Sequence, residues 1–301
     1  MSVFLSTTVI DEAPADFVAQ HGRIETEFSY LTQDSGNVSW IVDAPEGHLF
    51  VKTAGTDGPP RGATTPYFDR AGRVGLLRNA VELAKSCDHP ALPTLLNVIE
   101  SADGPMLVYE AVPGELIGIV TPGASAAERR ADPASAYQRF AHLPAEDQLG
   151  VFDTLIDLHR ALAAVGWVAG DLYDGCLIVD FATMRLRVVD LDSYRRGPSR
   201  NDMGRMFGST RFMAPEEFER GAPLDERTTV FTLGRLVCHF GTRLTEDPGR
   251  FCGPTALWEV VDRAIRPEPQ DRYPSVADFT AAWRSARSWS APQRKTRPSP
   301  R

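Results

Sequence analysis

The segment 166–194 reads GWVAGDLYDGCLIVDFATMRLRVVDLDSY, and the rest of the chain can be organised around it. Two apolar runs, Cys176 to Val179 and Leu186 to Val189, flank a short turn-like connection, which is the pattern of a β-hairpin. Asp171 precedes the first run, and Asp190 follows the second. Because a hairpin brings its two ends together, we expect these two carboxylates to converge on one cleft.

Two carboxylates that converge beside backbone turns suit two kinds of chemistry. One is the abstraction of a proton from a reacting group. The other is the binding of Mg²⁺, which prefers oxygen ligands and carboxylate charge. The segment therefore predicts a catalytic or metal-binding cleft at the open end of the hairpin.

The composition is typical of a soluble globular protein with a sizeable core. The chain has 301 residues, of which 43% are hydrophobic and 24% charged, and this length suits one two-lobed domain or two small ones. The four cysteines are scattered without a metal-ligand pair, as expected in a reducing cytoplasm. The sequence predicts no signal peptide. No apolar run reaches the roughly 18 residues that a membrane span needs.

The charge pattern gives no indication of a nucleic-acid or membrane partner. The formal net charge is −8, and residues 284–301 contain six basic and no acidic residues. This Arg-, Ser- and Pro-rich end is expected to be a disordered, solvated tail.

The chain before the hairpin predicts a strand-rich part with one long helix. Short β-like runs lie on both sides of a turn at 34–37, and an apolar strand closes with Lys52. A helix is expected from about Phe68 to Cys87 because apolar residues recur there at helical spacing. Two more strands are expected at 95–100 and 105–111.

The chain around and beyond the hairpin predicts mainly helices. Residues 145–165 form an amphipathic pattern with acidic residues in the first turn and Gly166 after the end. The Ala- and Ser-rich segment 121–137 is interpreted as an inserted linker.

Several segments together resemble the motifs of the protein kinase family. Residues 169–176, AGDLYDGC, resemble H-R-D-x-x-x-x-N, and residues 190–192, DLD, stand where D-F-G is expected. Further segments resemble kinase motifs in the same order along the chain, namely 88–92, 208–216, 225–236 and 257–279.

The resemblance implies an α+β, two-lobed protein-kinase-like fold. It would have a β-rich N-lobe at about 27–111 and a mainly helical C-lobe at about 112–283. An N-terminal extension, 1–26, would precede this domain, and the basic tail, 284–301, would follow it.

The resemblance also implies roles for individual residues in binding ATP and Mg²⁺. Asp171 would be the catalytic base, Asp190 a Mg²⁺ ligand, and Lys52 the residue that holds the α- and β-phosphates. Gly36 and Val38 would belong to the glycine-rich turn over the phosphates. The backbones of Glu110 and Val112 would meet the adenine, and Glu115 would reach the ribose.

The chain departs from the family pattern at several of these positions. Ala80 falls where the glutamate that pairs with the lysine is expected, and Gly170 replaces the arginine that reads a phosphorylated loop. Cys176 replaces the asparagine that binds a second metal, and sulfur is a poor Mg²⁺ ligand. The nearby carboxylates are possible substitutes, and we expect Asp192 to be the second metal ligand, with Asp174 also available.

Two further positions concern the scaffold. Thr229 replaces an anchoring aspartate, and Arg272 matches the arginine that pairs with a glutamate, here Glu216.

The sequence leaves three alternative functions open. The first is a divergent serine/threonine protein kinase that uses ATP with Mg²⁺, or Mn²⁺, on a protein substrate of unknown identity. The second is a pseudokinase that acts as a binding module, which the lost glutamate, glycines and asparagine favour. The third is a small-molecule phosphotransferase, because Gly170-Asp171-Leu172 resembles the H-G-D of aminoglycoside and choline kinases, although those lack the Ala214-Pro215-Glu216 segment.

Overall fold

The chain has a mixed α+β fold. The computed structural model describes residues 2–29, 35–56, 65–119 and 124–290. Its strands are β1 (Arg23–Phe28), β2 (Val38–Ala44), β3 (Gly47–Thr53), β4 (Leu95–Ser101), β5 (Gly104–Glu110), β6 (Glu115–Leu116), β7 (Trp167–Val168), β8 (Leu177–Asp180), β9 (Arg185–Val188), β10 (Arg195–Arg196), β11 (Ser199–Arg200) and β12 (Pro223–Leu224). Its α-helices are α1 (Val3–Ser6), α2 (Pro14–His21), α3 (Arg70–Ser86), α4 (Ala124–Ala131), α5 (Ala136–Ala141), α6 (Ala145–Ala164), α7 (Glu226–Gly241), α8 (Thr255–Ala264) and α9 (Val276–Ser290).

The first five strands form one antiparallel sheet in the order β1-β2-β3-β5-β4. Successive side chains of a strand point to opposite faces, so one face of β2 and β3 carries the buried Trp40, Val42, Leu49 and Val51. The first two helices cover this face, where Phe4 of α1 joins the same apolar cluster. The segment 1–26, expected to be a separate extension, thus supplies both these helices and the start of β1.

Helix α3 packs on the opposite face of the sheet. Its N-cap Asp69 accepts a hydrogen bond from the Gly72 amide at 2.8 Å, which satisfies one of the unpaired donors at a helix start. Leu77 and Ala80 are buried in a small cluster with Leu107 of β5. The helix predicted for 68–87 is confirmed, with ends within two residues of the expected ones.

The helical part surrounds a larger apolar core. Helix α6 carries Phe152, Leu155 and Ile156 into this core, to which α7, α8 and α9 also contribute. The predicted helix at 145–165 is therefore confirmed. The segment interpreted as a linker, 121–137, contains α4 and the start of α5 among its described residues.

The C-terminal end also differs from the expectation. Helix α9 continues to Ser290, so residues 284–290 are helical, whereas a disordered tail was expected from residue 284. Two arginines of this last part form ion pairs with α6, Arg284 with Asp157 and Arg287 with Asp153. Residues 291–301 lie outside the described part of the chain. None of the helices in the described ranges has the length and apolar character needed to span a bilayer.

The predicted hairpin is present as β8 and β9, with Leu177 opposite Val188 and Asp180 opposite Arg185. Strand β6 adds to its other side, where Glu115 pairs with Val179. The hairpin therefore lies between the end of β5 and the helical core, and its open end faces the lysine of β3.

Candidate functional site

One lysine and two aspartates meet where β3 faces the open end of the hairpin. The Nζ of Lys52 donates hydrogen bonds to Asp190 Oδ1 at 2.6 Å and to Asp192 Oδ2 at 2.5 Å. Lys52 is 8% exposed as a whole residue. The Asp190 side chain is 54% exposed, but that of Asp192 is only 10% exposed. One carboxylate of the cluster thus faces solvent, and the other is enclosed with the ammonium group.

The electrostatics of this cluster follow from burial and from its net charge. Burial alone would lower the pKa of Lys52, but the charges of Asp190 and Asp192 outweigh it and raise that pKa. The Lys52 charge lowers the pKa of Asp190. Burial, together with the charge of Asp190, raises the pKa of Asp192. The lysine therefore stays charged at neutral pH.

Two aspartates of the site have left-handed backbone conformations. The φ angle is 56° at Asp171 and 63° at Asp190. Aspartate tolerates this region better than most residues, yet the conformation costs energy and persists only where neighbouring contacts enforce it. Such strain at both predicted site residues is consistent with a functional arrangement of the two loops.

The loop that carries Asp171 is held by contacts from both sides. The Thr229 Oγ1 on α7 accepts a hydrogen bond from the Ala169 amide at 2.9 Å, so the threonine anchors the loop with a hydroxyl where a carboxylate was expected. The Cys176 thiol donates to the Asp171 carbonyl at 3.3 Å. These contacts link the helical core, the loop and the hairpin.

Cys176 is a scaffold residue in this arrangement. It is 1% exposed, and burial raises the pKa of its thiol well above the ordinary value. The thiolate is the form that binds metals, so the raised pKa and the hydrogen bond to the Asp171 carbonyl disfavour a metal contact of this thiol.

Asp174 does not supply the open carboxylate that the sequence suggested. It is 1% exposed, and its carboxylate pairs with the Arg211 guanidinium at 2.9 Å. A buried carboxylate needs such a partner because burial without one is costly. Asp174 therefore joins the hairpin to the segment 208–216, and its side chain has no face open to a metal.

Asp192, which we expect to be a metal ligand, forms an ion pair with Lys52 in this structure. Its carboxylate points to the Lys52 ammonium at 2.5 Å and is nearly enclosed. The physical reason lies on α3, where Ala80 offers no counter-charge to the buried lysine. A metal role for Asp192 stays a prediction, and it would require this ion pair to open.

The residues expected to contact ATP lie at the start of β2, at the end of β5 and in the segments next to these strands. Gly36 has a φ of +78°, and a Cβ on it would lie 2.4 Å from Pro66, so close packing by itself requires glycine there. Val38 begins β2 opposite Thr53. The Glu110 amide donates to the Thr94 carbonyl at 3.1 Å, and Val112 follows half-buried.

Glu115, expected near the ribose, lies on β6 and is half exposed. Its carboxylate accepts two hydrogen bonds from Arg139 of α5, at 2.8 and 2.9 Å. Exposed ion pairs of this kind are weak, so Glu115 can exchange Arg139 for another partner at small cost.

Asn79 is a site residue that the sequence analysis missed. Its side-chain amide donates to the carbonyls of Asp192 at 2.7 Å and Tyr194 at 2.6 Å. Helix α3 is thereby tied to the loop beyond Asp190. The available signal was its position next to Ala80, on the helix expected to contact the lysine.

A cavity of about 430 Å³ opens beside these residues. It lies between α3 and the segment 193–207, and Asp171 and Asp192 contribute to its wall. Most of the remaining wall is apolar and includes Phe68, Leu76, Met206, Phe207 and Leu224. A small chemical group could therefore approach Asp171 from the α3 side.

The expected pair of Glu216 and Arg272 is present and buried. Arg272 is 1% exposed and donates two hydrogen bonds to the Glu216 carboxylate, at 2.7 and 2.9 Å. Its other donors reach the carbonyls of Arg227, Arg266 and Pro267. All five guanidinium donors are thus satisfied at this junction.

Among the described residues, no group of three or more His, Cys, Asp or Glu is placed so that it could hold a metal ion. No protein-family model matches the chain, and no curated protein matches it significantly. The site is therefore interpreted from its own residues.

Proposed function

We propose that the chain is a divergent member of the protein kinase superfamily with a two-lobed fold, which transfers the γ-phosphate of ATP to a protein hydroxyl. The observation that carries this proposal is the meeting of Lys52 with Asp190 at 2.6 Å, across 138 residues of sequence, beside the strained loop of Asp171. A cation from the sheet and carboxylates from the hairpin are the groups that phosphate and Mg²⁺ require.

The residues fit one Mg²⁺ ion bound together with phosphates. Mg²⁺ is usually held by one or two carboxylates plus phosphate and water oxygens, so a cluster of three protein ligands is not needed. Asp190 offers a half-exposed carboxylate for this purpose. The bound ion would neutralise charge on the transferring phosphoryl group.

Each residue then has a distinct task in the proposed reaction. Lys52 would bind the α- and β-phosphates, exchanging part of its contact with Asp190 for phosphate oxygens. Asp171 would accept the proton of the acceptor hydroxyl and orient that oxygen toward the phosphorus. The contacts of Thr229 and Cys176 keep the Asp171 loop in place during this step.

A second candidate, a binding module without phosphate transfer, is favoured by one observation. Phe50 lies two residues before Lys52 on β3, so its ring is on the same face of the sheet. The ring is half-buried and lies 6.3 Å from that of Phe28. These aromatic side chains occupy part of the sheet face that carries Lys52, where a nucleotide would have to bind.

The test combines nucleotide binding with transfer. At an ATP concentration one hundred times its Kd, binding should stabilise the protein by roughly 2.7 kcal/mol, and thermal unfolding with and without Mg²⁺ measures this. Radiolabelled ATP with mixed protein acceptors measures transfer. Asp171→Asn should keep the thermal shift and lose most transfer, whereas Asp190→Asn should lose the Mg²⁺ dependence of the shift.

Asp180→Asn, at the exposed turn of the same hairpin, is the matched control and should change neither readout. A protein that shows no thermal shift with any nucleotide would contradict the proposal and support the binding module. Transfer to small hydroxyl compounds but not to proteins would instead support a small-molecule phosphotransferase.

A further inference from the structure

The buried lysine of this site lacks a carboxylate partner from α3. Lys52 is 8% exposed, and Ala80, which is 6% exposed, faces the sheet with a methyl group only. The nearest acidic residue along this helix, Glu82, is exposed to solvent. Because an ammonium group is seldom buried without a counter-charge, another part of the chain has to supply one.

Asp192 supplies this counter-charge. Its carboxylate lies 2.5 Å from the Lys52 Nζ and is as enclosed as the lysine itself, since each side chain is 10% exposed. Asp190 touches the same ammonium group, but more than half of its side chain faces solvent. The two aspartates are two residues apart but lie in different environments. The enclosed Asp192 suits a permanent ion pair with Lys52, whereas the exposed Asp190 suits the role of an exchangeable ligand.

The main chain around Asp192 is held by three separate parts of the fold. The Asn79 amide of α3 donates to the carbonyls of Asp192 and Tyr194. The Tyr194 hydroxyl donates to His159 Nε2 of α6 at 2.7 Å, while His159 Nδ1 donates to the Leu155 carbonyl. Gly170 allows the Ser193 carbonyl to lie against the Asp171 loop. The carboxylate of Asp192 is therefore presented from a backbone fixed on several sides.

We propose that Asp192 is the positioning residue for Lys52, that Asn79 holds it in place, and that Asp190 alone binds the metal ion. This inference rests on the proposed function, because it assigns the geometry of the phosphate-binding lysine. Helix α3 then contributes to the site through the side-chain amide of Asn79, which holds the backbone, and not through a carboxylate that pairs with the lysine. The loop after Asp190 and the lysine are positioned as one unit.

The kinetic test compares two neighbouring aspartates. Asp192→Asn should raise the KM for ATP tenfold or more and leave the half-saturating Mg²⁺ concentration within twofold of wild type. Asp190→Asn should raise the Mg²⁺ requirement tenfold or more. Asn79→Ala should raise the KM for ATP in the same direction as Asp192→Asn, and should add little when combined with it.

Glu82→Gln, on the exposed face of α3, is the control and should leave both parameters unchanged. If Asp192→Asn raises the Mg²⁺ requirement as much as Asp190→Asn does, Asp192 is a metal ligand and the proposal is wrong. An unchanged KM for ATP in Asp192→Asn would equally overturn it.

A second measurement does not depend on nucleotide. In a thermal-unfolding cycle, the loss of Tm caused by Asp192→Asn should fall to less than half when Lys52 is already replaced by Met, because the pair is then absent. The same cycle with Asp190→Asn should show a smaller coupling. Equal Tm losses in both backgrounds would disprove the pairing. If wild-type protein neither binds ATP nor transfers phosphate, the proposed function fails, and this cycle still decides the pairing.

Discussion

At Gly170 the main chain of the Asp171 loop passes too close to Ser193 for any side chain. A Cβ built on Gly170 would lie 2.3 Å from the Ser193 carbonyl oxygen. In the resemblance to kinases, this glycine stands where an arginine is expected, which predicted the loss of a phosphate-reading group. The structure gives the residue a packing reason, because the loop that presents Asp192 lies directly against it.

The first prediction concerns this close approach. Gly170→Ala should destabilise the protein by roughly 1–3 kcal/mol, since the added methyl group forces the two loops apart. Gly75→Ala is the matched control, because a Cβ there meets nothing within 4 Å in the exposed middle of α3. The control should be neutral or stabilising by up to about 1 kcal/mol. Denaturant unfolding measures both, and equal stability of the two variants would contradict the steric argument.

At the scale of elements, one ion pair joins segments that are far apart in sequence. Glu216 follows the Asp171-facing segment 208–215, and Arg272 lies between α8 and α9, 56 residues later. The Thr228 hydroxyl of α7 also donates to Glu216, at 2.9 Å. Helix α7 and the connection between α8 and α9 therefore meet the loop near the site at one buried carboxylate.

The second prediction is the cost of breaking this junction. Arg272→Ala should lower the free energy of unfolding by roughly 3–5 kcal/mol, because it leaves the Glu216 carboxylate buried without its partner. Arg266→Ala serves as the control, since its pair with Asp262 is exposed and about 0.3–0.5 kcal/mol is expected for such a helical pair. Thermal and denaturant unfolding distinguish the two. A loss of less than 1 kcal/mol in Arg272→Ala would refute the assignment.

At the scale of the whole molecule, three buried titratable groups contribute to the response of stability to acid. Burial lowers the pKa of His159 and of His239 to about 4, so both rings are neutral at pH 7. Burial raises the pKa of Glu217 to about 7, with a further contribution from the Glu216 charge. The histidines and the glutamate act in opposite directions on stability.

The sign follows from which state binds more protons. Between pH 6.5 and 4 the unfolded chain protonates its histidines before the folded protein does, so acidification lowers the free energy of unfolding, by roughly 3 kcal/mol per histidine. Between pH 7 and 4.5 the folded protein protonates Glu217 before the unfolded chain does. Acidification through that window therefore adds stability, again on the order of 3 kcal/mol.

The third prediction uses this opposition. Glu217→Gln removes the group that gains stability in acid, so the free energy of unfolding should fall more steeply from pH 6.5 to 4.5 in the variant than in wild type. Denaturant unfolding at several pH values measures the slope, with Glu219→Gln, at an exposed position, as the control. A slope equal to that of wild type would show that Glu217 is ionised in the folded protein at these pH values.

Much of the secondary structure could be predicted from local sequence. The hairpin of β8 and β9 and the helices α3 and α6 lie close to where apolar spacing and turn residues placed them. The mixed α+β class was also confirmed. These features depend on interactions within a few residues, which a sequence displays directly. The α4 and α5 helices and the end of α9 were missed because their stabilising contacts come from other helices.

What the sequence determined by itself is the set of chemical groups: a lysine that closes a strand, aspartates at both ends of a hairpin, and an alanine where α3 could have carried a charge. Only the tertiary structure decided their pairing. The Lys52 ammonium and the Asp192 carboxylate are 140 residues apart in sequence, and burial of one required burial of the other. The cost of removing a charge from water depends on the surroundings in the folded protein. The residues next to Lys52 in the sequence therefore do not reveal which carboxylate pairs with its ammonium group.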